Sequence, residues 1–393
     1  MSALPWLTPI AALLLYLLWR LIQVPRTRQK VDLLQDEKTT PTDPYTAIDL
    51  LYNFDYTTEE PIKIRPFKPK YHLTMALENC PLSELIAMDK TYLDRMKLRT
   101  SILDAHTKET YQCNEPCTEA VYEIYEWTFG TYLPRRFPTM YRLCSNPDAP
   151  SGQVNFLHNI PANEYIPLTP PSASSALYTL GRHIDTDILL LLPSSSAVDG
   201  MPIYHLQAYV CCFPSGFKTH EKLGLPLASI HAPVPGYKAK LEKSMDRFFA
   251  KMELGKAVRR ANWSVTTDDK LFSMGGSHMY EDGRTEASGG NQKTLDVEAE
   301  DLEESIEVQR KEVRVEECRL RCERQTLHRL PRTKALVFAF KTFQYTLDEV
   351  KSEGSGEELA DAVEGLGLGS VPDMAFYKRQ VVWGDRVVEF LRS

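Results

Sequence analysis

Three apolar patterns follow one another along the chain. The first is continuous: residues 6–24 (WLTPIAALLLYLLWRLIQV) are apolar all round over nineteen positions. At ~1.5 Å per residue such a helix is roughly 28 Å long, close to a bilayer's hydrocarbon thickness. Trp6 and Trp19 stand near its two ends, and Arg26, Arg28 and Lys30 follow it. Interfacial indoles and a basic C-terminal flank predict a single-pass anchor with the body in the cytoplasm, at the endoplasmic reticulum. A cleaved signal peptide would need a basic start and a small-x-small cleavage site, and the segment has neither. The second pattern is helical. In EAVYEIYEWTFGTYLPRRFP, Val121, Tyr122, Tyr125, Phe129 and Tyr132 share one face, and Pro134 follows. Leu241, Met245, Phe248, Phe249 and Met252 give residues 237–254 an apolar face, opened by Pro233 and Pro235 and closed by Gly255. The third is strand-like: DILLLLP and IYHLQAYVCCFP read as buried strands, and RLRCERQTLHRL with KALVFAFKTF as a hairpin. YKRQVVWGDRVVEFL is a short amphipathic element at the C-terminus. Together these predict an α+β fold, an antiparallel sheet packed by helices, behind one N-terminal transmembrane helix.

The polar stretches set the boundaries. Residues 1–30 read as the anchor, and the Pro- and Thr-rich stretch 31–70 as a linker. Residues 71–393 read as one domain, interrupted at 273–317 by a Gly/Ser-rich loop and an acidic run that look like a disordered insertion.

Charge locates rather than classifies. The chain holds 46 Lys and Arg against 53 Asp and Glu, a net −7. Residues 296–317 alone hold ten acids and three bases, so the remainder is balanced. A nucleic-acid partner driven by clustered basic charge is thereby excluded. The eight cysteines are too sparse for a disulfide framework and lack paired zinc spacing, so they read as ordinary thiols.

No Walker A loop, GxGxxG, GxSxG or HExxH motif is present, so any nicotinamide electrons must arrive through a partner. The densest chemistry lies in FPSGFKTHEKLGLPLASIHAPVPG, with His220, Glu221, Lys222 and His231. Pro233 and Pro235 stiffen the chain beside His231. A neutral imidazole so held suits haem iron, and suits equally a hydrogen-bonded histidine at a helix start. Arg259, Arg260, Asn262 and Trp263 make either an anion grip or a solvated turn. Strand alternation puts Arg319, Arg321, Glu323 and Gln325 on one face, and Cys322, Arg324, Thr326 and His328 on the other. Such a charged face either lines a cavity or meets water.

The segments YHLTMALENCPLSELIAMDKTYLDRM, YLPRRFP, LGRHIDTDILLLLP, CFPSGFKTHEKLGLPLASIHAPVPGY, RANWSV, ERQTLHRLPRTKALVFAFKTF and the terminal YK occur in that order. They resemble the haem-dependent oxidative N-demethylase-like family, known in fungi as HRQ family proteins. The resemblance implies a PAS-like α+β core, a haem iron cofactor, and dioxygen-dependent attack on an N-methyl group of a small organic substrate. It also implies electrons from a separate flavin and iron–sulfur reductase. Position by position, it makes His231 the axial iron ligand. Arg260, Asn262 and Arg324 become cofactor-binding groups for the propionates, and Asp187 a polar catalytic group. Ala76 stands where the family usually has Gly, Gly216-Phe217 where it often has Arg-Trp, and His220 where a small or polar residue is usual. His220 is therefore a second choice of iron ligand.

The expectation is a membrane-anchored haem monooxygenase, acting by oxidative N-demethylation of an amine or oxidation of a small metabolite. The alternatives are a membrane-tethered scaffold that keeps the fold without the chemistry, and a metal hydrolase built on His220, Glu221 and His231.

Overall fold

The computed structural model describes residues 43–145, 153–198, 200–280 and 299–393. The predicted anchor at 6–24 lies outside the described residues, none of whose helices is long and apolar enough to cross a membrane.

Ten strands build two antiparallel sheets. The larger has the order β1 (Glu78–Cys80), β8 (Ala257–Thr266), β9 (Arg319–Arg329), β10 (Leu336–Thr346), β6 (Asp187–Val198), β7 (Met201–Val210), β2 (Tyr111–Cys113). The smaller joins β3 (Tyr141–Ser145), β4 (Val154–Asn159) and β5 (Glu164–Pro167). In the larger sheet β10, β6 and β7 carry the most continuous apolar runs, as strands covered on both faces require, while β9 between β8 and β10 alternates with charge. The edge strands β1 and β2 are three residues long, which leaves little unpaired backbone exposed. The expected hairpin is β9–β10, in register from Leu336↔Arg329 to Thr346↔Arg319. Its turn is tied down by Glu123, whose carboxylate accepts the backbone N–H of Arg332 at 2.5 Å and of Thr333 at 2.8 Å.

Helices α1 (Tyr92–Ala105), α2 (Thr118–Trp127) and α3 (Ala173–His183) cover one face of the large sheet. The Ser172 hydroxyl caps α3, accepting the Ser175 N–H at 3.1 Å. Gly181 lets α3 lie close on β7, because a Cβ there would meet Val210 at 2.6 Å. The short helix α4 (Leu227–His231) and the amphipathic α5 (Glu242–Lys251) follow β7, and Gly255 beyond them takes φ +75° as a helix stop does. Helices α6 (Ala299–Glu312), α7 (Gly356–Glu364) and α8 (Gln380–Arg392) form a second apolar cluster against the far end of β8–β10.

Two boundary expectations are corrected. Residues 43–70 are body rather than linker: Tyr45, Ile48 and Ile64 are buried. The expected insertion at 273–317 is anchored at both ends, since Met279, Ile306 and Val313 are buried in the second cluster and residues 281–298 lie outside the described residues. Composition alone misread it because few apolar side chains, well spaced, suffice to fasten a polar segment.

A buried ion pair holds the sheet's end to α1. Arg99 and Asp187 meet at 2.8 Å with 0% and 1% of their side chains exposed. Arg99 also donates to the carbonyls of Gly181 and Thr186. Asp187 accepts the backbone N–H of Cys212 and of Phe213, both at 2.8 Å. Asp187→Ala would leave the Arg99 guanidinium buried without its counter-charge. We expect a loss of roughly 3–5 kcal/mol of unfolding free energy, measurable by urea titration. Ala76 takes φ +49°, in the region that suits glycine. Left-handed backbone costs an L residue about 1–2 kcal/mol, and glycine's extra freedom in the unfolded chain gives back roughly half. Ala76→Gly is therefore expected to raise stability by about 0.5–1 kcal/mol in the same titration.

Candidate functional site

Between the large sheet, α4, α5 and the segment 273–280 lies a cavity of about 290 Å³. It is at the lower edge of the usual size for small-molecule sites, roughly 300–1,000 Å³. One part of its wall is apolar: Leu189, Leu191, Leu206, Leu227, Ile230 and Phe338. The other part carries Lys222, Arg260, Asn262, His278, Arg321 and Lys378. The charged face of β9 thus lines a cavity, through Arg321, Glu323 and Gln325.

His231 ends α4 and lines this cavity. Its Nδ1 lies 2.9 Å from the Leu227 carbonyl one helical turn back, and its ring stacks on Tyr237 at 4.9 Å and 17°. A carbonyl accepts only, so Nδ1 carries the proton and Nε2 keeps its lone pair. Burial pushes its pKa down to about 4, against a small upward pull from that hydrogen bond. It is neutral at physiological pH. Pro233 lies just beyond, and Val234 N–H donates to the His231 carbonyl at 2.9 Å, which fixes the turn that follows.

The strand β8 delivers Arg260 and Asn262 to the same cavity. Arg260 makes no hydrogen bond or ion pair among the described residues, and its Nε is buried without a partner. Burial lowers its pKa, opposed by Tyr71 and Glu323. Asn262 Oδ1 accepts from Lys378 Nζ at 3.4 Å. Neighbouring Arg259 is already engaged, by Glu78 at 3.3 Å and Glu84 at 2.7 Å.

Three sequence candidates fall elsewhere. Arg324 does not line the cavity: it donates to the backbone carbonyls of Glu84 and Leu85 and fastens the segment after β1. Asp187 stands behind the wall in the Arg99 pair. Its reach to the site is indirect, through Cys211, whose Sγ lies 3.7 Å from Oδ2 and which does line the cavity. His220 is also outside the lining, beside Glu221 at 3.9 Å. Among the described residues no three His, Cys, Asp or Glu side chains gather at metal-binding distance, so His220, Glu221 and His231 do not form a hydrolase triad. All eight cysteines are free.

Sequence reasoning missed His278 and Lys378. His278 is buried, stacks on Tyr377 at 4.4 Å, and meets Phe217 edge-on at 5.2 Å. Burial first, and then Lys378, Lys222 and Arg321, push its pKa down to about 3. Lys378 Nζ donates to the Trp263 carbonyl and lies 5.4 Å and 5.3 Å from the centres of the Tyr71 and Trp263 rings. Burial brings its pKa down to about 8, and Arg260 adds to the shift. The only signal for Lys378 was the terminal Tyr-Lys pair within the resemblance; His278 had none, because it sits in a segment of loop composition.

The chain belongs to the family described as haem-dependent oxidative N-demethylase, alpha subunit-like, whose profile matches residues 76–388. That is the family the motifs resemble. Its description names a haem-dependent reaction, and an alpha subunit implies a partner component. No curated protein matches the chain.

Four neutral histidines make folding pH-sensitive: the half-buried His231, and the buried His183, His278 and His328, whose pKa values burial brings to about 3. Each is depressed in the fold, so the unfolded chain binds more protons below its ordinary value near 6.5. Stability is fully present above that pH and is lost as pH falls toward 4 and 3. A thermal-unfolding series from pH 7.5 to 4 should show a falling midpoint that begins near 6.5.

Proposed function

We propose that the protein is a haem-dependent monooxygenase subunit that oxidatively removes an N-methyl group from a small amine, with His231 as the residue that would hold the iron. The observation that carries this reading is the His231 geometry. Its Nδ1–H is committed to the Leu227 carbonyl, and its Nε2 lone pair is left at the wall of a largely apolar cavity. Metal-bound histidines characteristically donate their second ring N–H to a carbonyl or carboxylate in this way.

The remaining donors fit a haem as well. Arg260, half-buried and with its Nε buried and unpartnered, is the group for one propionate, and Asn262 offers its amide beside it. Arg324 and Asp187 keep positioning roles in this reading: one fastens the chain around β1, the other holds Cys211 to Phe213. Bound haem would supply dioxygen activation, one oxygen going to the methyl carbon, which leaves as formaldehyde, and the other to water, with two electrons and two protons from outside. The leucine and isoleucine wall excludes water, which strengthens every polar contact made inside it. A separate flavin and iron–sulfur reductase supplies the electrons, a membrane anchor at 6–24 holds the body at the cytoplasmic face, and the core is of the PAS-like kind. The family membership and the absence of a nucleotide motif support the first of these.

Full-length protein produced with a haem precursor should carry a Soret band. His231→Ala should lose most of it and His220→Ala should keep it, both read by absorbance after equal purification. A colourless wild type, or a band that survives His231→Ala unchanged, overturns the assignment.

A further inference from the structure

The charge of the cavity wall points to the kind of amine it admits. Arg259 lines it already paired with Glu78 and Glu84, and Lys222, Arg260, Arg321 and Lys378 line it against one carboxylate among the described lining residues, Glu323. Burial lowers the pKa of the latter four cations. Two haem propionates would offset two of these charges, which leaves two cations and the single carboxylate Glu323 to face a substrate, a net surplus of one positive charge. A simple alkylammonium would add to that surplus rather than relieve it.

The surplus has a location. Lys378, Lys222, Arg321 and Arg379 all act electrostatically on His278, whereas the cations that act on His231 are Lys222 and Arg260. At the His278 end, several donors lack acceptors. Lys378 Nζ has three N–H groups and two protein acceptors, the Trp263 carbonyl and Asn262 Oδ1. Arg321 spends Nη1 and Nη2 on the carbonyls of Lys270, Leu271, Phe213 and Pro214, while its Nε is buried and unpartnered. His278 Nδ1 is buried and unpartnered against Gly216, whose added Cβ would come within 2.9 Å of it. A neutral ring with no acceptor at Nδ1 is best served by a proton on Nε2, which makes Nε2–H a further donor. Buried donors without acceptors carry a cost that a bound anion removes.

We propose that the substrate is an N-methyl amino acid, its carboxylate held by Lys378, His278 and the free edge of Arg321, and its ammonium facing Glu323. This rests on the haem reading above and narrows its substrate from an amine to a zwitterion. Glu323 is near enough to Lys378 and Arg260 to act on both electrostatically, so the two ends of a short zwitterion find opposite charges within one cavity. Gln325 Nε2 donates to Glu323 at 2.8 Å and orients that carboxylate.

The test uses full-length protein in haem-loaded and haem-free form, with N-methylglycine and dimethylammonium as probes. N-methylglycine should raise the thermal-unfolding midpoint of both forms and shift the Soret band of the loaded one, while dimethylammonium at equal concentration does neither. Lys378→Met should weaken N-methylglycine binding at least tenfold, and His278→Phe, which keeps the ring stack, several-fold, with the Soret band of each retained as evidence of folding. Equal or tighter binding of dimethylammonium, or unchanged affinity in Lys378→Met, overturns the proposal. So does binding of N-methylglycine to the haem-free form alone, because the donors then belong to the propionates. A missing Soret band with N-methylglycine stabilisation that Lys378→Met abolishes would reject the haem reading and keep the carboxylate site.

Discussion

The structure depends on one buried charge pair. Arg99 and Asp187 lie wholly out of water, which is tolerable only because every strong group between them is satisfied. The guanidinium donates to Asp187 and to two carbonyls, and the carboxylate accepts two backbone N–H groups from Cys212 and Phe213. Arg321 takes the carbonyls of Phe213 and Pro214 from the other side. The chain leaving β7 is thus gripped by an acid through its donors and by a base through its acceptors. It can neither rise off the sheet nor slide along it. Its next residues, Ser215 and Phe217, are cavity wall. A second network of Arg95, Asp185, Lys341 and Asp89 continues the pattern next to α1, and Arg95 covers the Phe213 ring at 4.3 Å.

Everything in the cavity inherits that placement. Burial disfavours charge, so the histidines there are neutral and the pKa values of Lys222 and Lys378 fall to about 8. The same desolvation that keeps His231 fit to offer a lone pair makes the surrounding cations call for anions. Lys222 partly meets that demand over the Phe217 ring at 4.1 Å, and Lys378 over Tyr71 and Trp263. Aromatic faces moderate these charges without neutralising them.

Much of this was legible locally. The strands β6, β7, β9 and β10 and the helix before Gly255 follow from runs of apolar residues whose period belongs to one kind of element. His231, Arg260 and Asn262 were named from motif and residue type, and the fold brings all three to one cavity. Asp187 and Arg324 were named on the same grounds and are absent from the lining. The difference is not one of residue type. An aspartate reads alike whether it faces a substrate or a guanidinium, and Arg99, eighty-eight positions away, carries no mark of the pairing.

The sequence by itself determined the periods, the breaks and the chemistry on offer: which segments bury a face, where the turns fall, and that a stiffened histidine, an arginine cluster and a charged strand exist. These are properties of neighbours within a few residues, and short-range sterics and alternation express them directly. Only the tertiary structure decided which polar groups meet. His278 enters the cavity from a loop-like segment, Lys378 from beyond α7, and Arg321 from β9, and they converge because the packing of distant apolar faces carries them there. Long-range contact is selected by the burial of the whole chain, and no local pattern encodes it.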